Sequence, residues 1–494
     1  MCIMNRINNI NLLWLILLCT VFSMPFLLLD IQYRDDAFRT LTMLSGWRWS
    51  GRVLTDLTLS FLSMNSSGVF DISPLPLIIS IVCISLTIYY SLAQSRIKIS
   101  VYSVIAFSSI FISPFSIQSI AYKYDVLPMV LGLCLSILAI SYRSKIKYLD
   151  FLVPILFLCI SLSFYQSCSN VYIGLYAVNC IFRIWERDEY IKYTIKSFII
   201  YLLSISLYYI VVMKLLGFST QRAEIVSIGS LLSKSLHTFD LAIKQVMLFL
   251  NEFSSPIVLL CLVSLIFVVI SNTNRTNILP TLISLAVLIF SIIGPLVAIG
   301  EDYMALRIVI GANCIYFALV FSLYLVSEKY GFRAVVILPI LLSMMFCYIF
   351  SSAIKQQRSF ENNVLSWLSY DLQDKVKNLE EKKIYISNTM PTQTTVQKMV
   401  QNFMFLRDVN KYSDPMYSPA APWMSRPLIS SLGIPNVVQS WGGNPREIMV
   451  KVCDSKVSPL VSKANYEIYE NGDDVLVFFK GKYSKDQLCP AGHW

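Results

Sequence analysis

The chain has 494 residues, and 56% of them are hydrophobic. Only 14% are charged, compared with roughly 25% in soluble domains. A water-soluble fold cannot bury so much apolar surface, so the composition predicts an integral membrane protein. The net charge of +10 comes from basic residues scattered over short loops, a pattern that does not favour nucleic-acid binding. Only two histidines are present, His237 and His493, so a histidine-based metal or catalytic site is not expected.

About eleven apolar stretches are long enough, or nearly long enough, to cross a bilayer, and they predict an all-α polytopic membrane protein. The stretches are 10–29, 74–92, 100–117, 126–141, 150–164, 168–182, 197–213, 254–271, 278–299, 305–326 and 334–354. The fifth and sixth are short and could instead form a tight hairpin. The first lacks a small-residue cleavage site, so we interpret it as an uncleaved span.

Lysines and arginines are concentrated in alternate short loops, and the positive-inside rule places those loops in the cytoplasm. The residues are Arg96, Lys98, Arg143, Lys145, Lys147, Arg183, Arg187, Lys192, Lys196, Arg275, Lys329 and Arg333. The N-terminus is therefore predicted to be cytoplasmic and the C-terminal region to lie outside. In this scheme residues 1–354 form the membrane domain, with long outer loops at 30–73 and 214–253.

Residues 355–494 are predicted to form a small soluble α/β domain on the outer side. Apolar spacing indicates a helix over 362–382, while KIYIS at 383–387 and VLVFF at 475–479 have the composition of strands. Cys453 and Cys489 are the only cysteines of this region. They are a candidate disulfide pair, which requires an oxidising compartment.

The first outer loop, YRDDAFRTLTMLSGWRWSGRVLTDL at 33–57, combines carboxylates, guanidinium groups and indole rings. These side chains are Asp35, Asp36, Arg34, Arg39, Arg48, Arg52, Trp47 and Trp49. A carboxylate can accept a proton from an attacking hydroxyl, arginine forks can hold a phosphate leaving group, and indoles stack on sugars. The loop therefore suits a sugar-transfer site at a membrane surface. The alternative is an interfacial amphipathic helix in which Asp35 and Arg39 pair one turn apart.

A DD-x-x-R motif, a tryptophan and a GR pair follow the first span in that order, at Asp35, Asp36, Arg39, Trp47, Gly51 and Arg52. This order resembles the bacterial Gtr-type O-antigen glucosyltransferases, the glucosyl transferase type II family. The likeness in hydropathy and loop plan extends over about residues 10–350, whereas the specific motifs lie in the first loop.

The resemblance implies a GT-C-like membrane fold that transfers glucose from undecaprenyl-phosphate glucose to O-antigen repeat units of lipopolysaccharide. The transfer would take place at the periplasmic face of the bacterial inner membrane by one inverting displacement. Asp35 or Asp36 would be the general base, and Arg39 and Arg52 would bind the donor phosphate. No cofactor is expected, because the arginines already supply positive charge, although paired aspartates could hold a divalent ion.

Further residues of the predicted substrate site lie in the first loop and at the outer ends of later spans. They are Arg34, Trp47, Lys123, Asp125, Glu301, Asp302 and Arg307. An ordinary loop ion pair is the alternative for Lys123 and Asp125, and headgroup-level solvation is the alternative for the three residues near 300. Tyr165 and Gln166 could line the same cavity or form a polar hairpin tip.

Two other functions remain open at this point. The first is another GT-C transferase that uses a lipid-phosphate sugar, such as a mannosyl- or aminoarabinosyltransferase. The second is a lipid or oligosaccharide transporter. Transporters often contain internal pseudo-repeats, and none is evident in this sequence.

Overall fold

The computed structural model describes most of the chain, and the structural statements below concern that part. The described residues are 9–30, 32–95, 97–183, 187–218, 228–272, 278–299, 304–406, 429–434, 436–438, 445–455 and 457–481. The chain divides into two compact units. The first comprises Met1–Leu28 and Ser45–Ile349, and the second comprises Leu29–Leu44 and Phe350–Trp494.

Helices predominate in the described part of the chain. In chain order they are α1 (Asn9–Leu28), α2 (Asp35–Thr42), α3 (Val53–Leu62), α4 (Leu75–Gln94), α5 (Val101–Ser108), α6 (Ile117–Ala121), α7 (Val126–Ser141), α8 (Leu149–Phe164), α9 (Ser169–Phe182), α10 (Arg187–Tyr208), α11 (Ile228–Met247), α12 (Ser254–Asn272), α13 (Ile278–Phe290), α14 (Ala312–Tyr330), α15 (Ile337–Lys375), α16 (Thr394–Asn402) and α17 (Pro445–Asp454). The division between the units falls within α15. Helices α2, α16 and α17 belong to the second unit.

In the described part of the chain, five helical stretches are long and apolar enough to cross a bilayer. They are Ile10–Leu28, Leu75–Gln94, Asp188–Leu215, Ser254–Ser271 and Arg333–Lys375. The chain is therefore a multi-pass membrane protein, but the predicted count of eleven spans is not confirmed. Helices α7 and α8 have 16 residues each and α9 has 14. A straight helix of 16 residues rises only about 24 Å, less than the roughly 30 Å of a hydrocarbon core.

The predicted span at 100–117 is not one continuous helix. The Ser100 side chain caps α5 by accepting a hydrogen bond from a backbone N–H of its first turn, but α5 ends at Ser108 and α6 begins at Ile117. The irregular backbone between them is buried. Such backbone is tolerated at membrane depth where surrounding protein supplies hydrogen-bond partners. Asn313 Nδ2 contributes to this by donating to Ser116 Oγ at 2.9 Å.

The predicted spans at 278–299 and 305–326 are also shorter in the structure, because an irregular segment separates α13 from α14. Asn170 Nδ2 donates to the carbonyl of Ile293 in this segment at 2.8 Å. Gly294 has a φ of 55°, and a side chain there would collide with the Asn170 amide. The buried amide thus stabilises non-helical backbone where hydropathy alone predicts a helix.

The predicted outer loop at 214–253 contains helix α11. On this helix Thr238 and Ala242 are buried, whereas Leu232 and Leu236 are exposed. Ser235 Oγ also donates to the Val297 carbonyl at 3.3 Å. This predicted loop therefore includes an ordered helix that packs on the segment between α13 and α14.

The second unit contains a four-stranded mixed sheet with the strand order β1-β4-β3-β2. Its strands are β1 (Lys383–Ser387), β2 (Val461–Ser462), β3 (Tyr466–Asn471) and β4 (Asp474–Phe479). Strand β1 is parallel to β4, and the β2–β3 and β3–β4 pairs are antiparallel. The predicted strands at 383–387 and 475–479 are confirmed as β1 and β4, and β3 is a strand that the sequence analysis did not predict.

Helices cover both faces of this sheet because successive side chains of a strand point to opposite faces. Val475, Val477 and Phe479 of β4 pack in one core cluster with α15 residues such as Leu368. Leu476 and Phe478 lie in a second cluster that includes residues of α17. The prediction of mixed α and β structure near the C-terminal end is confirmed.

Candidate active site

The first predicted outer loop is divided between the two units. Residues Leu29–Leu44, which include the DD-x-x-R motif, belong to the second unit. The chain from Ser45 onward, which includes the tryptophan and the GR pair, belongs to the first unit. The two groups of residues are therefore described separately.

In the second unit, Asp35 and Asp36 are the first two residues of α2, where a helix favours negative charge. Asp36 is buried, and its Oδ2 accepts a hydrogen bond from the backbone N–H of Tyr33 at 3.1 Å. Ala37, also buried, packs in the core cluster that includes α15 and the sheet. Asp35 is only half-buried. Of the two candidate bases, Asp35 is therefore the more accessible to a substrate.

Two arginines, Arg34 and Arg39, lie next to the aspartates of α2. Arg34, directly before the helix, has a φ of 53°, a conformation that non-glycine residues seldom adopt. Arg39 donates from Nη1 to the carbonyl of Leu44 at 3.1 Å. Among the described residues, Asp35 forms no ion pair with Arg39, so the simple one-turn pair considered above is not observed.

In the first unit, a buried carboxylate fixes the backbone of the WRWSGR segment. Asp56, in the first turn of α3, is 1% exposed. Its Oδ1 accepts from the N–H groups of Gly46 at 3.3 Å and Trp47 at 3.1 Å. Its Oδ2 accepts from the Arg48 N–H at 2.9 Å and from Arg48 Nε at 2.7 Å. Asp56 thereby determines where the Trp47 side chain points.

The Trp47 indole and the Arg52 guanidinium converge on one carboxylate, that of Asp125. Trp47 Nε1 donates to Asp125 Oδ1 at 2.7 Å, and Arg52 Nη1 lies 3.6 Å from the same oxygen. Asp125 is buried and directly precedes α7. A buried carboxylate needs such partners, because burying an unpaired charge is costly. The structure thus brings together three predicted site residues that lie up to 78 positions apart in the sequence.

Two tyrosine rings hold the two arginines of this cluster. The Arg52 guanidinium lies 4.4 Å from the ring centroid of Tyr165, and the Arg307 guanidinium lies 4.7 Å from that of Tyr122. Tyr165 donates its hydroxyl to the carbonyl of Arg307 at 3.4 Å. Guanidinium groups stacked on aromatic faces keep their N–H forks at the edge, where they can hold a planar or tetrahedral anion.

The backbone before Arg52 is fixed by two polar side chains. Gln166 Nε2 donates to the Ser50 carbonyl at 2.8 Å and to the Tyr208 hydroxyl at 3.0 Å, and that hydroxyl donates to the Gly51 carbonyl at 3.0 Å. Gly51 has a φ of 72°, and a Cβ at this position would collide with the Tyr208 hydroxyl. Only glycine therefore fits before Arg52 without strain.

Lys123 and Asp125, which the sequence analysis considered together, have different partners. Lys123 Nζ binds Asp71 Oδ2 at 2.9 Å, whereas Asp125 faces Trp47 and Arg52. Burial raises the pKa of Asp71, but hydrogen bonds from Ser73 and Lys123 outweigh burial and hold the pKa below its usual value. Lys123 therefore ties the segment before α4, which contains Asp71, to the segment that precedes α7.

The sequence is similar to known proteins. The glucosyl transferase GtrII family matches residues 24–325, more than half of the chain. The chain belongs to this family. A curated relative, described as an uncharacterized 55.3 kDa protein in the gtrB 5' region of Salmonella phage P22, is 27% identical over 157 residues. That match covers 31% of this chain and 32% of the relative, so the chain covers about a third of its length. No solved structure matches.

The GtrII family match contains both the α2 aspartates and the Asp125 cluster, since 24–325 spans all of these positions. Other predicted residues cannot be placed. Glu301, Asp302 and Cys489 lie outside the described residues, and their roles stay predictions. Cys453 is disulfide-bonded. Among the described residues, no three histidine, cysteine, aspartate or glutamate side chains form a group that could hold a metal ion.

Four residues of this candidate site were missed from the sequence: Asp56, Gln118, Tyr122 and Tyr208. Gln118 Oε1 accepts from the Arg307 N–H at 2.8 Å and so positions that arginine. A signal existed for Asp56, because it is the one charged residue in the apolar helix VLTDLTLSFL, where a charge is costly unless it has a function. Tyr122 and Tyr208 carried no comparable signal.

Proposed function

We propose that this GtrII family member is a membrane glucosyltransferase that uses undecaprenyl-phosphate glucose and modifies O-antigen repeat units at the periplasmic face. The observation that carries the proposal is the cluster of Trp47, Arg52, Asp125, Tyr165 and Arg307 at one end of the membrane helices. It combines two cations, a carboxylate and aromatic rings in one place. Family membership supports the same activity.

The donor phosphate is assigned to Arg52 and Arg307. In the described part of the chain, Arg52 Nε is buried and has no hydrogen-bond partner. Asp125 is 3.6 Å from Arg52 Nη1, a separation that leaves the guanidinium only loosely held. A phosphate oxygen can therefore accept a hydrogen bond from Arg52 Nε, which has no acceptor in the described part of the chain. A charge-assisted hydrogen bond of this kind is strong.

The general base is assigned to Asp35, and this assignment rests on the contacts of the second unit alone. In the proposed step, an acceptor hydroxyl oxygen attacks C1 of glucose while the bond from C1 to the phosphate oxygen breaks. The hydroxyl proton goes to the Asp35 carboxylate, and undecaprenyl phosphate leaves with the bonding electron pair. One displacement inverts the configuration at C1. Asp36 is a poorer candidate because it is buried and accepts a backbone hydrogen bond.

The decisive experiment is transfer by the purified protein. Supplied with undecaprenyl-phosphate glucose and O-antigen acceptor in detergent, the enzyme should form glucosylated acceptor, detected by mass spectrometry. A transporter needs sealed vesicles, whereas a transferase does not. Absence of product in detergent, together with movement of lipid-linked glucose across sealed vesicles, would favour transport. If glucose is not transferred, the assay is repeated with undecaprenyl-phosphate mannose and aminoarabinose, and transfer from one of these donors would keep the enzyme class and correct the sugar.

The second unit is proposed to contact the acceptor glycan, together with residues 214–253. Trp367 and Tyr370, one turn apart on α15, are 54% and 68% exposed, and exposed aromatic rings stack well on sugars. Replacing both by alanine should raise the KM for the acceptor and leave the KM for the donor unchanged. This test is cleaner than deleting residues 360–494, because the deletion removes the core in which Ala37 of α2 packs.

A further inference from the structure

A second polar region lies in the first unit, at the opposite ends of the helices that form the Asp125 cluster. Asp125 directly precedes α7 and Tyr165 directly follows α8, so the cluster lies at the N-terminal end of α7 and the C-terminal end of α8. Tyr142 follows α7 and Asp150 is in the first turn of α8. These residues mark the other end of the same two antiparallel helices.

A cavity of about 130 Å³ opens at this second end. Helices α7, α8, α9 and α10 surround it, and the polar residues that line it include Tyr142, Arg143, Asp150, Arg183, Tyr193 and Lys196. A volume of this size is large enough to admit a phosphate group.

The described lining of the cavity carries three basic side chains and one carboxylate. Lys196 Nζ pairs with Asp150, and Arg183 Nη2 lies 3.6 Å from Glu189 Oε2, a carboxylate outside the cavity lining. Arg143 Nη1 donates to the carbonyls of Ile140 at 2.9 Å and Tyr142 at 2.8 Å, which are neutral groups. Within the described part of the chain, Arg143 has no carboxylate partner. Its positive charge is therefore not neutralised by the protein residues that the structure describes.

Capping of α7 explains why an arginine occupies position 143, because basic side chains commonly bind the last carbonyls of a helix. It does not explain why Arg183, after α9, and Lys196, on α10, line the same cavity. Basic side chains from three helix segments enclose one space at the end of membrane helices, and such a space attracts an anion.

We propose that this cavity binds a phosphate group, and that its source is the headgroup of an anionic phospholipid. The position favours a lipid, since basic pockets between membrane helices bind anionic headgroups. The three cationic residues would contact the phosphate oxygens. The lipid would bridge α7, α8, α9 and α10 at the end of the unit opposite the Asp125 cluster. Binding of this lipid does not depend on the proposed transferase activity.

The test is lipid binding by the full-length protein in mild detergent, followed by native mass spectrometry with phosphatidylglycerol and phosphatidylcholine. The wild-type protein should retain phosphatidylglycerol in preference to phosphatidylcholine. The double variant Arg143→Gln/Arg183→Gln should bind phosphatidylglycerol about thirty-fold more weakly, as expected for two basic residues near a charged headgroup. Arg143→Lys/Arg183→Lys keeps the charge and should retain most of the binding.

A matched control removes two basic residues outside the cavity lining. Lys145 and Arg333 are predicted for the same membrane face, and Lys145→Gln/Arg333→Gln should change phosphatidylglycerol binding by less than about three-fold, because neither residue lines the cavity. An equal loss in this control would mean diffuse surface charge and would overturn the proposal. So would equal retention of the two lipids by the wild-type protein. Binding of inorganic phosphate without phosphatidylglycerol would overturn the lipid assignment.

Discussion

Two carboxylates of the predicted first outer loop differ in what they bind, although both lie close to arginines in the sequence. In the first unit, Asp56 accepts hydrogen bonds from three backbone N–H groups and from Arg48 Nε. In the second unit, Asp35 is half-buried at the start of α2. The comparison teaches that hydrogen-bond partners, rather than charge or sequence position, distinguish a carboxylate that holds the backbone from one that can react.

The two arginines of the first unit differ in the same way. Arg48 is well exposed and is bound by Asp56 at 2.7 Å. Arg52 is stacked on Tyr165, and its buried Nε has no partner among the described residues. Arg48 therefore stabilises the folded loop, whereas Arg52 still has an N–H group that can bind an anion.

The largest effect is expected for Asp35→Asn. Loss of a general base should lower kcat by about a hundredfold or more, while folding is preserved. Asp36→Asn should lower thermal stability more than turnover, because Asp36 is buried and binds the Tyr33 N–H. Steady-state kinetics and thermal unfolding of both variants provide the measurement. Full activity in both variants would move the base elsewhere, with Asp125→Asn as the next variant to measure.

A smaller effect is expected for Arg52→Lys. Lysine keeps the charge but lacks the planar fork that binds a phosphate through two N–H groups. We expect the KM for the lipid-linked donor to rise about ten-fold, equivalent to about 1.4 kcal/mol, with less change in kcat. Arg48→Lys, in the same segment, is the matched control and should change neither constant. If both substitutions raise the KM equally, Arg52 has no special role.

A structural effect is expected for Gly51→Ala. The φ of 72° and the collision with the Tyr208 hydroxyl should together destabilise the protein by about 2 kcal/mol and displace Arg52. Tyr208→Phe removes the colliding atom, so the double variant Gly51→Ala/Tyr208→Phe should recover part of the stability and of the donor KM. Thermal unfolding and kinetics measure both. No recovery in the double variant would show that the backbone conformation alone causes the loss.

Local pattern was sufficient to predict several features of this protein. The strands β1 and β4 followed from alternating apolar residues, and Trp47, Arg52, Asp125 and Arg307 were each predicted as site residues. The structure brings these four into one cluster with Tyr165. Their roles as site residues stay predictions.

Long-range contacts explain what the sequence could not reveal. The predicted helix at 100–117 is broken, and Asn313, 197 residues from Ser116, supplies a hydrogen bond to the broken segment. The division of the first loop depends on Ala37, which packs with Val364 and Leu368 in the second unit. Hydropathy reports the average polarity of a segment, so it cannot reveal a partner that is far away in the chain.

The smallest expected effect concerns the sheet of the second unit, where Glu467 is fully buried. Burial raises its pKa, but hydrogen bonds from Tyr469, Lys480 and Ser462 outweigh burial and lower the pKa to about 2. An unfolded glutamate has a pKa of about 4.3. Because the folded pKa is the lower one, this carboxylate stabilises the fold above about pH 4.3 and loses that effect as the pH falls toward about 2.

Glu467→Gln should therefore lower the thermal stability of the full-length protein at pH 7, by about 1–2 kcal/mol for a buried, hydrogen-bonded charge. The difference between wild type and variant should shrink as the pH is lowered from 5 to about 3. Glu381→Gln, at an exposed carboxylate of the same unit, is the control and should show no such dependence. A difference that stays constant from pH 7 to pH 3 would mean that Glu467 acts through its shape and not through its charge.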